Sequence, residues 1–178
     1  MNTRNSLRSL AAAAALIAGG TIAAHAEGLY AGAALGSPHY GGDAVAGIDG
    51  SGSGVGGKIY GGYELTPNFA IEGGWFDAGH IDNANGKADL RGAYLDAVGK
   101  YPIAPQWSLR GSVGVAEGHF DTSRGDDHSP ALKLGVGVDY ALTQKVSLSA
   151  GYDYYRFSNA FDGKPTVGMP TIGMKIGF

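Results

Sequence analysis

Cysteine is absent from the 178 residues, so neither disulfide bonds nor thiol chemistry can hold this fold together. Residues 27–178 also lack long apolar runs, since no segment among them approaches the roughly 18 residues of a membrane-spanning helix. Excess positive charge is absent as well, since the net charge of -3 gives no electrostatic reason to expect a nucleic-acid partner. Glycine is abundant at 32 residues, and it lies inside runs of Tyr, Val, Ile and Leu, which argues against disorder.

The first part of the sequence has the pattern of a secretory signal. Two arginines precede a charge-free apolar run at 10–24, which is too short for a membrane span and is followed by the small-x-small motif Ala-His-Ala at 24–26. We expect cleavage before Glu27, so that residues 1–26 are a signal peptide and residues 27–178 form one domain.

The remaining sequence is predicted to be all-β. Eight stretches alternate apolar and polar residues with a period of two, which is the pattern of a strand with two different faces. Each stretch is long enough to cross a bilayer when tilted, which takes about 9–11 residues. The stretches are approximately 28–36, 55–65, 69–79, 91–103, 107–118, 131–142, 146–157 and 166–178.

The connections between these stretches alternate in length. Short turns are expected at 66–68, 104–106 and 143–145, and long links at 37–54, 80–90, 119–130 and 158–165. Outer-membrane barrels alternate short periplasmic turns with longer outer loops in this way. A soluble sandwich or barrel can also have eight strands, but nothing requires its loops to alternate so regularly. The pattern therefore predicts an eight-stranded antiparallel transmembrane β-barrel of the outer membrane.

The last stretch supports a membrane barrel. Ile172, Met174, Ile176 and Phe178 share one face of a strand, with small or polar residues on the other face. A soluble edge strand with such a face would promote aggregation, whereas in a closed barrel the face contacts lipid and the strand pairs with the first one. This segment resembles the terminal strand of bacterial outer-membrane barrels. The resemblance implies that Phe178 is an assembly signal read by the barrel-assembly machinery.

The alternation also assigns charged residues to the inside of the barrel. A charge facing lipid costs about 2–4 kcal/mol at the bilayer midplane, so the charged face of each strand is expected to line the lumen. Cations and anions balance there at two approximate depths, which we interpret as stacked ion pairs filling a narrow lumen. Arg110 and Glu72 are the best-matched pair. The predicted lumen set is Lys58, Glu64, Glu72, Asp96, Lys100, Arg110, Lys133, Asp139, Asp153 and Lys175.

Two further features concern the ends of the predicted strands. Outward aromatic residues gather at both ends, as expected for rings at the two membrane interfaces. Pro170 lies within the last stretch, although proline cannot donate a ladder hydrogen bond and a barrel has no edge strand. We therefore expect a bulge or an early strand end near residues 169–170.

Several segments resemble the small OmpA/OmpX-like outer-membrane barrels. The similarity is carried by residues 28–36 (GLYAGAALG), 71–75 (IEGGW) and 99–103 (GKYPI). The resemblance implies the outer membrane of a Gram-negative bacterium, with both termini periplasmic, and a role in envelope stability, adhesion or host-surface interaction. The implied partners are outer-membrane lipid, lipopolysaccharide and an unknown host or surface ligand.

Catalytic and metal chemistry find little support in the sequence. Residues 158–160 resemble the Ser-Asn-Ala segment of lipid A deacylases, but Arg156 stands where that family has its histidine base. The long links contain histidines whose spacing does not predict a shared metal site, namely His39, His80, His119 and His128. No catalytic residue, metal site, cofactor-binding site or cofactor is therefore predicted.

The leading interpretation is a non-enzymatic barrel that supports envelope integrity or surface interaction through its outer loops. A narrow channel for ions or small solutes is the first alternative. A lipid A-modifying enzyme is the second alternative. Asp121, Asp126 and Asp127 could bridge divalent cations to lipopolysaccharide phosphates, although acidic loops are commonly just solvated.

Overall fold

The computed structural model describes residues 28–42, 54–83, 86–122, 125–158 and 165–178. No helix among these residues has the length and apolar character needed to span a membrane. In chain order the strands are β1 Leu29–Gly36, β2 His39–Gly42, β3 Gly56–Thr66, β4 Phe69–Asn83, β5 Gly86–Ala104, β6 Trp107–Thr122, β7 Gly125–Ala141, β8 Val146–Phe157 and β9 Pro165–Gly177. The predicted signal peptide lies outside the described residues.

The strands form one closed antiparallel sheet. Strands β3 to β9 pair in chain order, and β1 pairs with β3 on one side and with β9 on the other. The short strand β2 pairs with β9 in the same register as β1, since Gly36 lies opposite Thr171 and His39 lies opposite Gly168. Thus β1 and β2 are two segments of one barrel position. The predicted eight-stranded antiparallel β-barrel is confirmed.

Proline explains the interruption between β1 and β2. Ser37 and Pro38 separate the two segments, and this register places them opposite Pro170 and Met169 of β9. Ser37 donates its N–H to the Pro170 carbonyl (N···O 3.2 Å), but Pro170 has no N–H to return. β9 itself continues past Pro170 without a register shift against β8. The bulge or strand end predicted at residues 169–170 is therefore wrong, because the break falls on the neighbouring strand.

Four strands extend further than the sequence pattern indicated. β4 remains paired with β5 as far as Asn83, and β6 remains paired with β7 as far as Thr122. The links predicted at 80–90 and 119–130 are thus wrong as loops, because cross-strand pairing continues through most of both segments. We call the end of the barrel that is formed by the β4–β5 and β6–β7 hairpins the hairpin end. The opposite end, where tight turns join β3 to β4, β5 to β6 and β7 to β8, is the turn end.

A β-bulge lies where β4 enters its hairpin. Ala78 and Gly79 together oppose Leu90, and Gly79 has a φ of 68°, a left-handed conformation that favours glycine. The Asp77 carboxylate accepts the Gly79 N–H, with an N···Oδ1 distance of 2.7 Å. Because a bulge increases the local twist, it re-aims the β4–β5 hairpin relative to the barrel wall.

The barrel is inside out relative to a soluble protein. Large apolar side chains on its outer face are exposed, including Leu95 (56%), Val136 (66%) and Ile172 (69%). Trp107 and Tyr140 pack together near the turn end, with ring centroids 4.9 Å apart. The buried apolar side chains belong to the opposite parity of the strands, so the core of this protein lies in the lumen.

Candidate functional site

The lumen is the first candidate site, and its charged residues are paired. Each of the ten charged residues of the predicted lumen set forms an ion pair with another member of the set. The pairs fall into three groups along the barrel axis. We call the first two groups the Lys133 cluster, which contains Lys58, Asp96, Lys133 and Asp153, and the Glu72 cluster, which contains Glu72, Arg110, Asp139 and Lys175. The third group is the pair Lys100–Glu64.

The Lys133 cluster is the more deeply buried of the two. Lys133 contacts Asp96, and its Nζ lies 3.2 Å from Asp153 Oδ1. The second Asp153 oxygen, Oδ2, lies 2.5 Å from Lys58 Nζ. The four side chains are between 1% and 6% exposed, so their charges have lost almost all contact with bulk water. Charges in such a place persist only as a mutually compensating set.

Glu72 is held mainly by two tyrosines. The Tyr94 hydroxyl donates to Oε1 at 2.9 Å, and the Tyr30 hydroxyl donates to Oε2 at 3.1 Å. Arg110 is more distant, with Nη1 at 3.9 Å from Oε2. The Arg110–Glu72 pair expected from the sequence is therefore a long secondary contact. Both tyrosines have the lumen-facing parity of their strands, a signal that an inventory of charges alone overlooks.

The remaining lumen charges lie towards the turn end. Arg110 Nε is 3.8 Å from Asp139 Oδ1, and Lys175 Nζ is 3.2 Å from Asp139 Oδ2. Lys100 forms its ion pair with Glu64, whose side chain is 37% exposed. Arg110 thus joins Glu72 to Asp139, so that this cluster is continuous across the lumen.

Glycines on β1 and β3 make room for the lumen tyrosines. The Tyr60 ring lies against Gly32, and the Tyr30 ring lies against Gly62, where an added Cβ atom would overlap each ring. The two rings meet edge to face, with centroids 6.4 Å apart. Part of the unusual glycine content is therefore required to fit aromatic rings into a narrow barrel.

An apolar layer closes the lumen on the hairpin side of the Lys133 cluster. Phe76 stacks on Tyr155 with ring centroids 4.6 Å apart, and both side chains are 1% exposed. Phe157, Leu90 and Met169 are buried in the same region, each at 2% exposure or less. The sequence pattern did not predict this apolar layer, although Tyr155 and Phe157 lie on the same face of β8 as the lumen residue Asp153. The lumen is thus filled by charges at one level and by aromatic rings at the next.

A second candidate site lies on the outer face at the hairpin end. His119 of β6 and His128 of β7 are directly opposite in register, and His119 Nδ1 lies 3.0 Å from His128 Nε2. The other ring nitrogen of His128, Nδ1, lies 3.9 Å from Glu117 Oε1. A shallow groove of about 620 Å³ beside them has a largely apolar lining that includes Leu95 and Pro130. Among the described residues, no group of three or more His, Asp or Glu side chains is arranged to hold a metal ion.

The other sequence-predicted chemistry does not assemble into a site. Arg156 is exposed on β8, and the Ser158 N–H donates to the Pro130 carbonyl at 3.0 Å. Residues 159–164 lie outside the described part of the chain, as do the side chains of 80–88 and 120–127. His39 is exposed, and its Nδ1 lies 2.9 Å from the Ser37 carbonyl oxygen, separate from the His119–His128 pair.

Comparison with known families identifies the class of this protein. The model of the outer membrane protein beta-barrel domain matches residues 9–174, and the chain belongs to this family. It is therefore a transmembrane β-barrel of the Gram-negative outer membrane, surrounded by lipid and lipopolysaccharide. No curated protein matches the chain.

Solved structures show the same fold at low sequence identity. The chain is similar to Neisserial surface protein A (NspA), with 22% identity, a TM-score of 0.65, and coverage of 85% of this chain and 98% of that one. It is similar to Ail, the attachment invasion locus protein of Yersinia pestis, with 18% identity, a TM-score of 0.55, and coverage of 84% and 99%. It is also similar to OprG from Pseudomonas aeruginosa, with 15% identity, a TM-score of 0.54, and coverage of 86% of this chain and 97% of that one.

Proposed function

We propose that this protein is a non-enzymatic outer-membrane barrel that supports envelope integrity or surface contact through its hairpin end. In this proposal the hairpin end faces the cell exterior, and both termini face the periplasm. The observation that supports it is the continuation of β4 to β7 as paired strands, with β5 reaching 19 residues when about 9–11 suffice to cross a bilayer. Paired strands of this length would present two hairpins beyond the membrane.

The four segments between the predicted strands, 37–54, 80–90, 119–130 and 158–165, have an excess of negative charge, which indicates the charge of a surface partner. They contain eight aspartates against the cations Lys87, Arg124 and Lys164. A structure of Ail was solved in complex with the heparin analogue sucrose octasulfate, which is a polyanion. An acidic surface repels a polyanion, so the proposed ligand of the present hairpins is cationic or is bridged by divalent cations.

Absence of enzymatic activity is part of the proposal. A serine nucleophile needs a base that can accept its proton, and the residue two places before Ser158 is Arg156, whose guanidinium group has donors only and cannot act as that base. Lipid A modification therefore has no supporting geometry in the described residues. Mass spectrometry of lipid A from cells with and without the protein tests this point, and a change in acylation would contradict it.

Surface attachment is tested with a hairpin-shortened variant, in which residues 81–88 and 120–127 are each replaced by a two-residue turn. Cells that carry the intact protein should adhere to epithelial cells or resist detergent better than cells that carry this variant. Equal adhesion and equal detergent resistance in both strains and in a strain without the protein would contradict the proposal. The two forms must first be shown to reach equal levels in the membrane.

Orientation is tested separately, and the absence of native cysteine makes the experiment simple. Ser123→Cys lies between β6 and β7, whereas Asn68→Cys lies in the turn between β3 and β4. A membrane-impermeant maleimide should label the first variant on intact cells and the second only after lysis. The reverse pattern would place the hairpins in the periplasm.

A further inference from the structure

We propose that His119 and His128 form a two-histidine binding site for a divalent transition-metal ion, such as Cu²⁺ or Zn²⁺, on the outer face of the barrel. The first support is the strand register. The two residues lie nine positions apart in sequence, but β6 and β7 place them directly opposite each other. Both belong to a regularly paired part of the barrel, so their backbone positions are fixed by cross-strand hydrogen bonds.

The separation of the ring nitrogens matches two ligands of one ion. His119 Nδ1 and His128 Nε2 are 3.0 Å apart. With metal–nitrogen bonds of about 2.0–2.1 Å, two nitrogens in adjacent coordination positions lie roughly 3 Å apart. This contact is a hydrogen bond between the rings, so both imidazoles have to rotate until the lone pairs of the two nitrogens point at one ion. Neutral imidazole is a preferred ligand of Cu²⁺, Zn²⁺ and Ni²⁺.

Glu117 supplies the orientation that metal-bound histidines usually have. Its Oε1 lies 3.9 Å from His128 Nδ1, the ring nitrogen that faces away from His119. A ligating histidine commonly donates its second N–H to a carboxylate, which fixes the tautomer and increases ligand basicity. A small movement of the exposed Glu117 side chain would complete this hydrogen bond. Glu117 is thus a positioning residue for the proposed site.

The site is accessible, and charges of both signs lie beside it, since Arg91 is opposite His119 in the β5–β6 pairing and Glu117 is close to His128. The side chain of His128 is 65% exposed, so an ion can reach it. The acidic links at the hairpin end attract cations and raise their local concentration. Two protein ligands leave other coordination positions for water or for oxygen atoms of another molecule. This site goes beyond the proposed surface role and does not depend on which end of the barrel faces outward.

The decisive measurement is Cu²⁺ binding to the folded protein in detergent, followed by calorimetry and by electron paramagnetic resonance. We expect one Cu²⁺ per chain, with hyperfine coupling to two nitrogens. His119→Ala and His128→Ala should each weaken binding by more than about tenfold, since each removes half of the chelate. Glu117→Gln should weaken it less, by up to about tenfold, while both nitrogen couplings remain.

Controls separate this site from other histidines and from misfolding. The double variant His39→Ala/His80→Ala should bind Cu²⁺ as the natural sequence does, and every variant should keep the mobility of the folded barrel on an unboiled gel. Binding that survives in His119→Ala/His128→Ala, or a spectrum with one nitrogen or none in the natural sequence, would overturn the proposal. If a single variant does not fold, the spectrum of the natural sequence and of the His39/His80 control decides.

Discussion

Lys133 and Asp96 are charged, yet each side chain is only 1% exposed. In place of water, the two groups contact each other, and Lys133 also contacts Asp153, Tyr155 and Tyr94, whose ring centroid lies 4.4 Å from Lys133 Nζ. Because an isolated charge in such a place is very unfavourable, the two residues should be energetically coupled. This pair is a stronger candidate for coupling than Arg110 and Glu72, which are 3.9 Å apart.

Lys133→Met should lower the free energy of unfolding by about 3–5 kcal/mol, because it leaves the Asp96 carboxylate without its cation. Asp96→Leu should cost a similar amount for the same reason. The double variant should recover much of the loss, which gives a clear interaction energy in a double-mutant cycle. Reversible urea unfolding in lipid vesicles measures all four proteins.

The matched control for this cycle is Lys145→Met, which removes a lysine from the exposed turn between β7 and β8. It should change the free energy of unfolding by no more than about 0.5 kcal/mol. Strict additivity of the Lys133 and Asp96 losses would mean that the two charges act independently, and the cluster would then not behave as one unit.

At the residue level, the alternation of each strand was enough to assign the charged residues to the lumen, because a charge is excluded from the lipid face. Aromatic residues lack this asymmetry. Tyr155 and Phe157 could contact lipid as easily as they fill the lumen, so the sequence pattern did not reveal the apolar layer. The contact between His119 and His128 was also hidden, since it depends on the register of two strands and not on sequence spacing.

At the level of elements, the strands were predictable where lipid constrains them and not beyond that region. Beyond the lipid-facing part of β4 to β7, lipid no longer requires apolar residues at alternate positions, and residues such as Asp82 and Lys87 interrupt the pattern there. The alternating signal therefore ended before the strands did. Pro170 does weaken the ladder, but the interruption lies in the partner strand, at Ser37 and Pro38.

Phe178 belongs to the element that closes the barrel. Its N–H donates to the Leu29 carbonyl at 2.9 Å, which joins the end of β9 to the start of β1. We expect Phe178→Ser to reduce the amount of protein in the outer membrane. Loss of the apolar side chain costs on the order of 1.5–3 kcal/mol of stability. The reduction should be larger than this loss of stability alone would cause. The additional effect would come from impaired recognition by the assembly machinery, and quantitative blotting of membrane fractions measures it.

Ile172→Ser is the matched control for this prediction, because it removes a lipid-facing apolar side chain from the same strand (69% exposed). Its membrane level should fall less than that of Phe178→Ser, and Phe178→Tyr should be nearly normal. Equal levels for the two serine variants would show that Phe178 contributes apolar area alone.

At the scale of the whole molecule, closure of the sheet should make the fold resistant to detergent. β1 and β3 to β9 each pair with a strand on both sides, and among the described residues only the short segment β2 pairs on one side, with β9. Most backbone polar groups of the barrel wall are therefore satisfied without water. The protein should therefore migrate differently on an unboiled detergent gel than after boiling. Identical mobility in both lanes, together with a monomer that is soluble without detergent, would contradict a membrane barrel.

The filled lumen also predicts that the molecule does not conduct. Side chains inside the barrel obstruct the lumen at three places, namely the Lys133 cluster, the Glu72 cluster and the apolar layer around Phe76 and Tyr155. The obstruction of the lumen therefore does not depend on the hairpins. Neither the intact protein nor the hairpin-shortened variant should produce stepwise currents in planar bilayers, in which a general porin serves as the positive control. Discrete conductance from the intact protein would favour the channel alternative. Conductance from the shortened variant alone would show that the hairpins, rather than the lumen side chains, close the pore.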